Sequence, residues 1–295
     1  MKVPRGLQVG VCSHTGLVRG GNEDDFLLVT PSVDGSQPFA AAIADGMGGV
    51  AGGAEASRTA LRALATVLLD APAPDDAAAA ERMRRGFLAA NTRVYDAANA
   101  VPALRDMGTT LTALWLWGSR CVFGHIGDTR LYRLRGSACE VLTTDHVVRE
   151  GENLLTRCIG GGQVECEPDG GAFEVFAGDR LVLVTDGVWN VVPDAEFADL
   201  AGARGAQSAA ERLVRRALDA GGPDNATAVV VDVLALDGAG CEEQELPRRE
   251  RPDARSLWPA PASLRPPIWP WLVLVCGALL LIWSALRWAG IRLFD

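Results

Sequence analysis

TTLTALWLWGSRCVFGHIGDTRLYRL, residues 109–134, is the stretch that decides the fold class. Three runs rich in β-branched and aromatic residues, 109–117, 120–126 and 129–134, follow one another with only Gly118-Ser119 and Gly127-Asp128 between them. Strands that follow one another with no helix between them favour antiparallel sheet. Working outward, LQVGVCS (7–13), DFLLVT (25–30) and FAAAIAD (39–45) precede them, and RLVLVTD (180–186) and ATAVVVDVLAL (226–236) follow. Helical segments come in consecutive pairs rather than after each strand: about 52–69 with 76–100, and 194–203 with 207–220. Asp75 and Asp76 are cap candidates for the second of these, and Met83, Phe87, Leu88 and Val94 lie toward one side of it. That order disfavours a doubly wound parallel sheet and predicts an α+β fold of antiparallel sheets covered by helices.

A chain of 295 residues accommodates one large domain with an appendage, or two small domains. The net charge of −9 argues against a nucleic-acid partner, which requires a basic face. The seven cysteines, at 12, 121, 139, 158, 166, 241 and 276, form no CxxC pair, so reduced thiols are expected rather than a disulfide framework or a zinc knuckle. The opening MKVPRGLQVGVCSHTG has no apolar run of signal-peptide length.

Residues 5–236 read as one globular domain and 237–267 as a solvated linker rich in Pro, Arg and Glu. Residues 268–286, IWPWLVLVCGALLLIWSAL, carry no charge over 19 residues. As a helix that run is about 28 Å long, close to a bilayer core. Trp269, Trp271, Trp283 and Trp288 sit near its ends as interface aromatics do; the alternative is a buried soluble helix. Arg248, Arg249, Arg251, Arg255 and Arg265 precede it, whereas Arg287 and Arg292 lie in the short tail, 287–295. The positive-inside bias then gives a single-pass protein of the cytoplasmic membrane with its globular domain cytosolic.

Acidic motifs stand beside the predicted strands: RGGNEDDF with Arg19, Glu23 and Asp24; ADGMGG with Asp45 and Gly46; HIGDTRLY with Asp128; VTDGVWN with Asp186; and GGPDNAT with Asp224. A strand that ends in Asp-Gly fixes a carboxylate and lets the backbone turn so that a carbonyl can approach a cation. Oxygen donors without Cys or His select hard ions such as Mg²⁺ or Mn²⁺. Each motif alone reads equally well as a turn.

Their combination in this order resembles the metal-dependent protein phosphatases, the type 2C family, in their bacterial form. The matching residues are Arg19 with Glu23-Asp24, Asp45-Gly46-Met47-Gly48-Gly49, Gly108-Thr109-Thr110, Gly127-Asp128-Thr129-Arg130, Thr144-Asp145-His146, Leu155-Thr156-Arg157, Thr185-Asp186-Gly187 and Asp224-Asn225. The resemblance implies a four-layer α-β-β-α sandwich and hydrolysis of phosphoserine and phosphothreonine in proteins. It implies that Asp45 bridges two Mg²⁺ or Mn²⁺ ions, with the Gly46 carbonyl on one of them. Asp186 and Asp224 complete the first ion, while Glu23 and Asp24 hold water on the second. Asp128 with Asp186 serves a third ion, and Arg19 grips the phosphate. A serine/threonine kinase is implied as the opposing enzyme.

The chain departs from that pattern in two places. Met47 and Val50 stand where many members carry a histidine that can protonate the leaving oxygen. The histidines here are His14, a candidate near Arg19, His125, expected in the core, and His146, at a structural position. Only VVREGENL (147–154) stands where bacterial members insert a mobile flap. Two alternatives remain at this level: a catalytically weak pseudo-phosphatase that binds phosphoproteins or a kinase, and a hydrolase of small phosphoesters.

Overall fold

The computed structural model describes residues 2–29, 38–69, 75–148, 154–163, 166–236 and 241–246. The apolar run at 268–286, its tail and most of the expected linker lie outside these residues. Among the described residues no helix is long and apolar enough to cross a membrane.

In chain order the elements are β1 (Lys2–Pro4), β2 (Leu7–His14), β3 (Asp24–Val29), β4 (Phe39–Met47), α1 (Val50–Leu68), α2 (Asp76–Ala100), β5 (Gly108–Thr109), β6 (Leu111–Trp117), β7 (Arg120–Ile126), β8 (Arg130–Arg135), β9 (Ala138–Val141), β10 (Ile159–Gly160), β11 (Asp169–Glu174), β12 (Arg180–Val184), α3 (Asp186–Trp189), α4 (Asp194–Ala201), α5 (Ala206–Asp219), β13 (Ala226–Val233) and β14 (Cys241–Glu243). One sheet runs β10-β5-β4-β6-β7-β11, with β3 also paired to β4; the other runs β2-β13-β12-β8-β9. Every recorded strand pairing is antiparallel.

Period-2 alternation sorts the core into three layers. From β4, Phe39, Ala41 and Ile43 face the other sheet, where they meet Val9, Val11, Leu181, Leu183, Val229 and Val231. Ala40, Ala42 and Ala44 face the opposite way, against Leu61, Leu64, Met83, Phe87 and Val94 of α1 and α2. On the second sheet Val182, Val184, Ala228 and Val230 turn outward to Phe197, Leu213 and Val214 of α4 and α5. Three apolar interfaces between four layers make an α-β-β-α sandwich. Each fully buried Leu or Val contributes about 1.5–3 kcal/mol.

Helix α2 starts where expected, with the Asp75 side chain accepting from Ala78 N–H at 2.8 Å. It crosses α1 at Gly86, where a Cβ would lie 2.6 Å from Leu64 Cδ1. Leu88 is only half-buried, unlike Met83, Phe87 and Val94. The six described cysteines are free thiols.

The domain extends past residue 236 into the expected linker. Strand β14 pairs with β1 through Lys2–Glu243, Val3–Glu242 and Pro4–Cys241. Beyond it, Gln244 grips the edge of β2: its Oε1 accepts from Val9 N–H at 3.0 Å, and its Nε2 donates to Val9 O. Gln207 does the same two residues on, with Oε1 on Val11 N–H and Nε2 on Val11 O, both at 3.0 Å. Two carboxamides thus occupy peptide groups of an edge strand that would otherwise invite another strand.

Candidate metal centre

The expected site residues come from five separate segments. Arg19 lies in the loop between β2 and β3, and Glu23 and Asp24 at the start of β3. Asp45 and Gly46 lie near the end of β4, Asp128 just after β7, Asp186 at the first position of α3, and Asp224 just before β13. Asp186 therefore opens a short helix rather than ending a strand. The structure brings these acids together. Asp45 is close enough to feel the charges of Asp24, Asp186 and Asp128, and Asp186 those of Asp224 and Arg19.

Polar contacts fix the backbone at each position. Asp45 N–H donates to Thr110 Oγ1 at 2.9 Å, while Asp45 O accepts from Thr109 Oγ1 and from Thr110 N–H, both at 2.9 Å. The Gly-Thr-Thr motif is thereby a clamp on the Asp45 peptide. Asn225 braces the Arg19 loop: its Nδ2 donates to Thr15 O at 2.8 Å and Gly21 O at 2.9 Å, and its Oδ1 accepts from Glu23 N–H at 2.8 Å. Gly46 packs so tightly that a Cβ would lie 2.1 Å from Gly53 O. Gly187 is equally confined, with Asn225 O 1.9 Å from where a Cβ would be.

Asp24 is buried, and its Oδ2 accepts from Thr227 Oγ1 at 2.7 Å and Thr185 Oγ1 at 2.9 Å. Its Oδ1, like Asp186 Oδ1, is buried without a hydrogen-bond partner. Burial pushes Asp24 up to about 8, against the help of both threonines, with Asp186 and Asp224 adding to the rise. Burial and then the Asp186 charge push Asp128 up to about 7. Asp45 is driven well above its ordinary value by burial and by Asp24, Asp186 and Asp128. Glu23 and Asp186 are raised as well, burial first. A group of like charges, two of them buried and the rest half-buried, with orphaned oxygens is a demand for positive charge.

Arg19 supplies one such charge. Its Nη2 stands 2.7 Å from Asp224 Oδ2, with the guanidinium about half exposed. Among the described residues no trio of His, Cys, Asp or Glu is spaced tightly enough to hold an ion as it stands. Asp224 is engaged by Arg19. The fit to a metal rests on donor chemistry instead: hard carboxylate oxygens, two of them unpartnered, with no thiol or imidazole in the set.

The histidines do other work. His125 is fully buried between Thr112 Oγ1 at 2.8 Å and Thr144 O at 3.1 Å, and burial holds it down at about 3, so it is neutral. His146 brackets Gly127, taking its N–H on Nδ1 at 3.0 Å and donating its own N–H to Gly127 O at 2.7 Å. His14 Nδ1 accepts from Gly16 N–H at 2.9 Å, within its own turn. Met47 reaches over Gly108, where a Cβ would lie 2.8 Å from its Cε. The two ends of the expected flap stump are paired: Val147 bridges Leu155, Val148 N–H donates to Leu154 O at 3.0 Å, and Thr156 N–H to His146 O at 2.7 Å.

Two residues matter here that the sequence did not single out. Thr227 carries no motif of its own, yet it holds Asp24. Trp189 lies three residues after Asp186 inside a recognised motif, and that proximity is its signal.

A family model for protein phosphatase 2C matches residues 14–240. The chain belongs to this family. It is 35% identical over 248 residues to the serine/threonine protein phosphatase PstP of Mycobacterium tuberculosis, covering 78% of this chain and 46% of PstP. The chain thus spans about half the length of that relative. It is 32% identical to the serine/threonine phosphatase stp of Listeria welshimeri, covering 74% of this chain and 92% of the relative. Among solved structures it resembles the catalytic domain of PstP in complex with two manganese ions, with 34% identity, a TM-score of 0.68, and coverage of 78% of this chain and 99% of that one. The α+β sandwich is the phosphatase 2C fold, and the matched span holds every acidic residue of the centre.

Proposed function

We propose that the chain hydrolyses phosphoserine and phosphothreonine esters in proteins, with two or three Mg²⁺ or Mn²⁺ ions held by Asp45, Asp186, Asp224, Glu23, Asp24, Asp128 and the Gly46 carbonyl. The observation that carries this reading is the cluster of buried and half-buried carboxylates with Asp24 Oδ1 and Asp186 Oδ1 unpartnered, set in a phosphatase 2C fold. Divalent ions in such a site supply hydroxide at neutral pH and neutralise phosphoryl oxygens. Asp45, clamped by Thr109 and Thr110, is the carboxylate common to the cluster. Arg19 exchanges Asp224 for the substrate phosphate, which its planar fork binds through two oxygens. Asn225 keeps that loop in register with the acids. The test is release of phosphate from a phosphothreonine peptide by the full chain with Mn²⁺ and with excess EDTA. Turnover that survives EDTA rejects the reading.

The finer claims belong to the same proposal. Residues 268–286 span the cytoplasmic membrane once, residues 287–295 form its tail, and the arginines that precede the span keep the phosphatase domain cytosolic beside an opposing serine/threonine kinase. Protease added to intact spheroplasts should leave the domain uncut; its digestion there rejects this topology.

A further inference from the structure

We propose that Trp189 is a positioning residue that sets the spacing between Asp128 and Asp186. The inference rests on the metal-centre reading above.

Asp186 is the first residue of α3 and Trp189 the last, so the indole and the carboxylate ride on one helical turn. The indole Nε1–H donates to Asp128 O at 2.9 Å. One side chain thereby ties the segment that carries Asp186 to the segment that carries Asp128. Two like charges, with Asp128 buried, oppose that tie.

The indole cannot easily turn away. The Arg130 guanidinium lies over its ring, 3.5 Å from the centroid. Arg130 is itself held by both oxygens of Asp145, with Nη2 to Oδ2 at 2.7 Å and Nε to Oδ1 at 3.1 Å, and its Nη1 is 3.3 Å from Tyr132 Oη. On the other side of the turn, His146 brackets Gly127, whose φ of +108° keeps the backbone in a glycine conformation. The Asp128 loop is thus pinned from both sides, and the Trp189 side is the one that faces the α3 segment. Asp128 and Asp186 could hold one cation between them only with their oxygens about 2.0–2.1 Å from it, so slack of an ångström would be felt in affinity.

The test uses Mn²⁺ titrated calorimetrically into the full chain after EDTA treatment and dialysis, in wild type, Trp189→Phe and Trp189→Gln. Phenylalanine keeps a ring beneath Arg130 and loses the N–H. Glutamine loses the ring and keeps an N–H that reaches about as far from the backbone. In Trp189→Phe the weaker Mn²⁺ event should lose about tenfold in affinity while the tighter ones persist. Turnover of para-nitrophenyl phosphate should fall in kcat with KM unchanged, and Trp189→Gln should recover part of both losses. Wild-type Mn²⁺ affinities in Trp189→Phe overturn the proposal, as does a Trp189→Gln chain that binds more weakly than Trp189→Phe, which would mean that packing alone matters. A wild-type chain that takes up no Mn²⁺ sinks the metal-centre reading and this inference with it.

Discussion

Asp24 and Asp45 stand directly opposite one another in the register of β3 and β4. Side chains at paired positions share one face of a sheet, and like charges so placed destabilise it. Asp24 is also buried and Asp45 half-buried, which makes ionisation of both acids costly without a cation. Asp45→Asn removes one of the two charges. In EDTA that variant should melt higher than wild type, by an amount on the order of 1 kcal/mol. With Mn²⁺ the order should reverse, since the variant gains nothing from the ion and has no activity. Thermal melts with and without Mn²⁺ decide it. A variant that keeps normal turnover would contradict the assignment of Asp45.

The same repulsion predicts a pH dependence. Asp24 is pushed up to about 8 and Asp128 to about 7. A carboxylic acid whose folded value is raised stabilises the fold fully below its unfolded value, near 3.8, and loses that contribution as pH rises through the folded one. The metal-free chain should therefore melt lower at about pH 8 than at about pH 5. Mn²⁺ should raise the melting temperature more at the higher pH, where the carboxylates are free to bind it. An apo chain more stable at the higher pH would refute the burial argument.

What the sequence made legible follows from periodicity and from chain order. The expected 76–100 helix coincides with α2, and the strand runs 120–126 and 39–45 fall on β7 and β4 within two residues. These segments are buried, so their apolar pattern is dictated by the core. Strands β9 and β11 were not legible, because their side chains are mostly exposed and they exist by pairing with β8 and β7. Strand β14 hid in a Glu-rich stretch that looks solvated, and only its pairing with β1 makes it structural. Within the site the acids were legible as a group because their motifs occur in order. The contact of Arg19 with Asp224 was not. Thr227 is separated from Asp24 by 203 residues, a contact that no local pattern could reveal.

The Gln244 clasp makes a prediction about where the domain ends. A chain stopped at residue 240 lacks β14 and Gln244, so Val9 loses both partners at its peptide and Val3, fully buried, is uncovered. Orphaning one buried peptide group costs about 1–3 kcal/mol. A chain of residues 1–248 should therefore resist urea better than one of residues 1–240, with Gln244→Ala in between. Identical midpoints for all three would show that the clasp is inert.

Arg19→Ala tests phosphate binding apart from metal binding. The guanidinium is about half exposed, so its pair with Asp224 contributes at most about 1 kcal/mol to stability. The variant should keep its melting temperature and its Mn²⁺ affinity while KM for a phosphopeptide rises about tenfold or more. A drop in kcat alone, with KM unchanged, would assign Arg19 to the chemical step instead.

Gly46 and Gly53 press against one another, and the two glycines should fail differently when given a side chain. At Gly46 a Cβ would lie 2.1 Å from Gly53 O, 2.3 Å from Gly53 C and 2.8 Å from Glu23 O. All three obstacles are backbone, two of them in α1 and one just before β3, so none can step aside. Gly46→Ala should cost about 3 kcal/mol or more and lower stability whether or not cations are present. At Gly53 the nearest obstacle is the tip of a side chain, Glu23 Oε2 at 2.0 Å, followed by Gly46 C at 2.8 Å. Gly53 lies within α1, where alanine gains about 1 kcal/mol of helix propensity and offsets part of the clash. Gly53→Ala should therefore cost less stability than Gly46→Ala, since only the Gly46 C contact is with backbone, and it should push the Glu23 carboxylate out of the centre. Its signature is a rise of about tenfold in the Mn²⁺ concentration needed for half-maximal activity, with a smaller drop in the melting temperature in EDTA than Gly46→Ala shows. The reverse pattern, a destabilised Gly53→Ala with unchanged Mn²⁺ dependence, would show that Glu23 has no part in holding the ions.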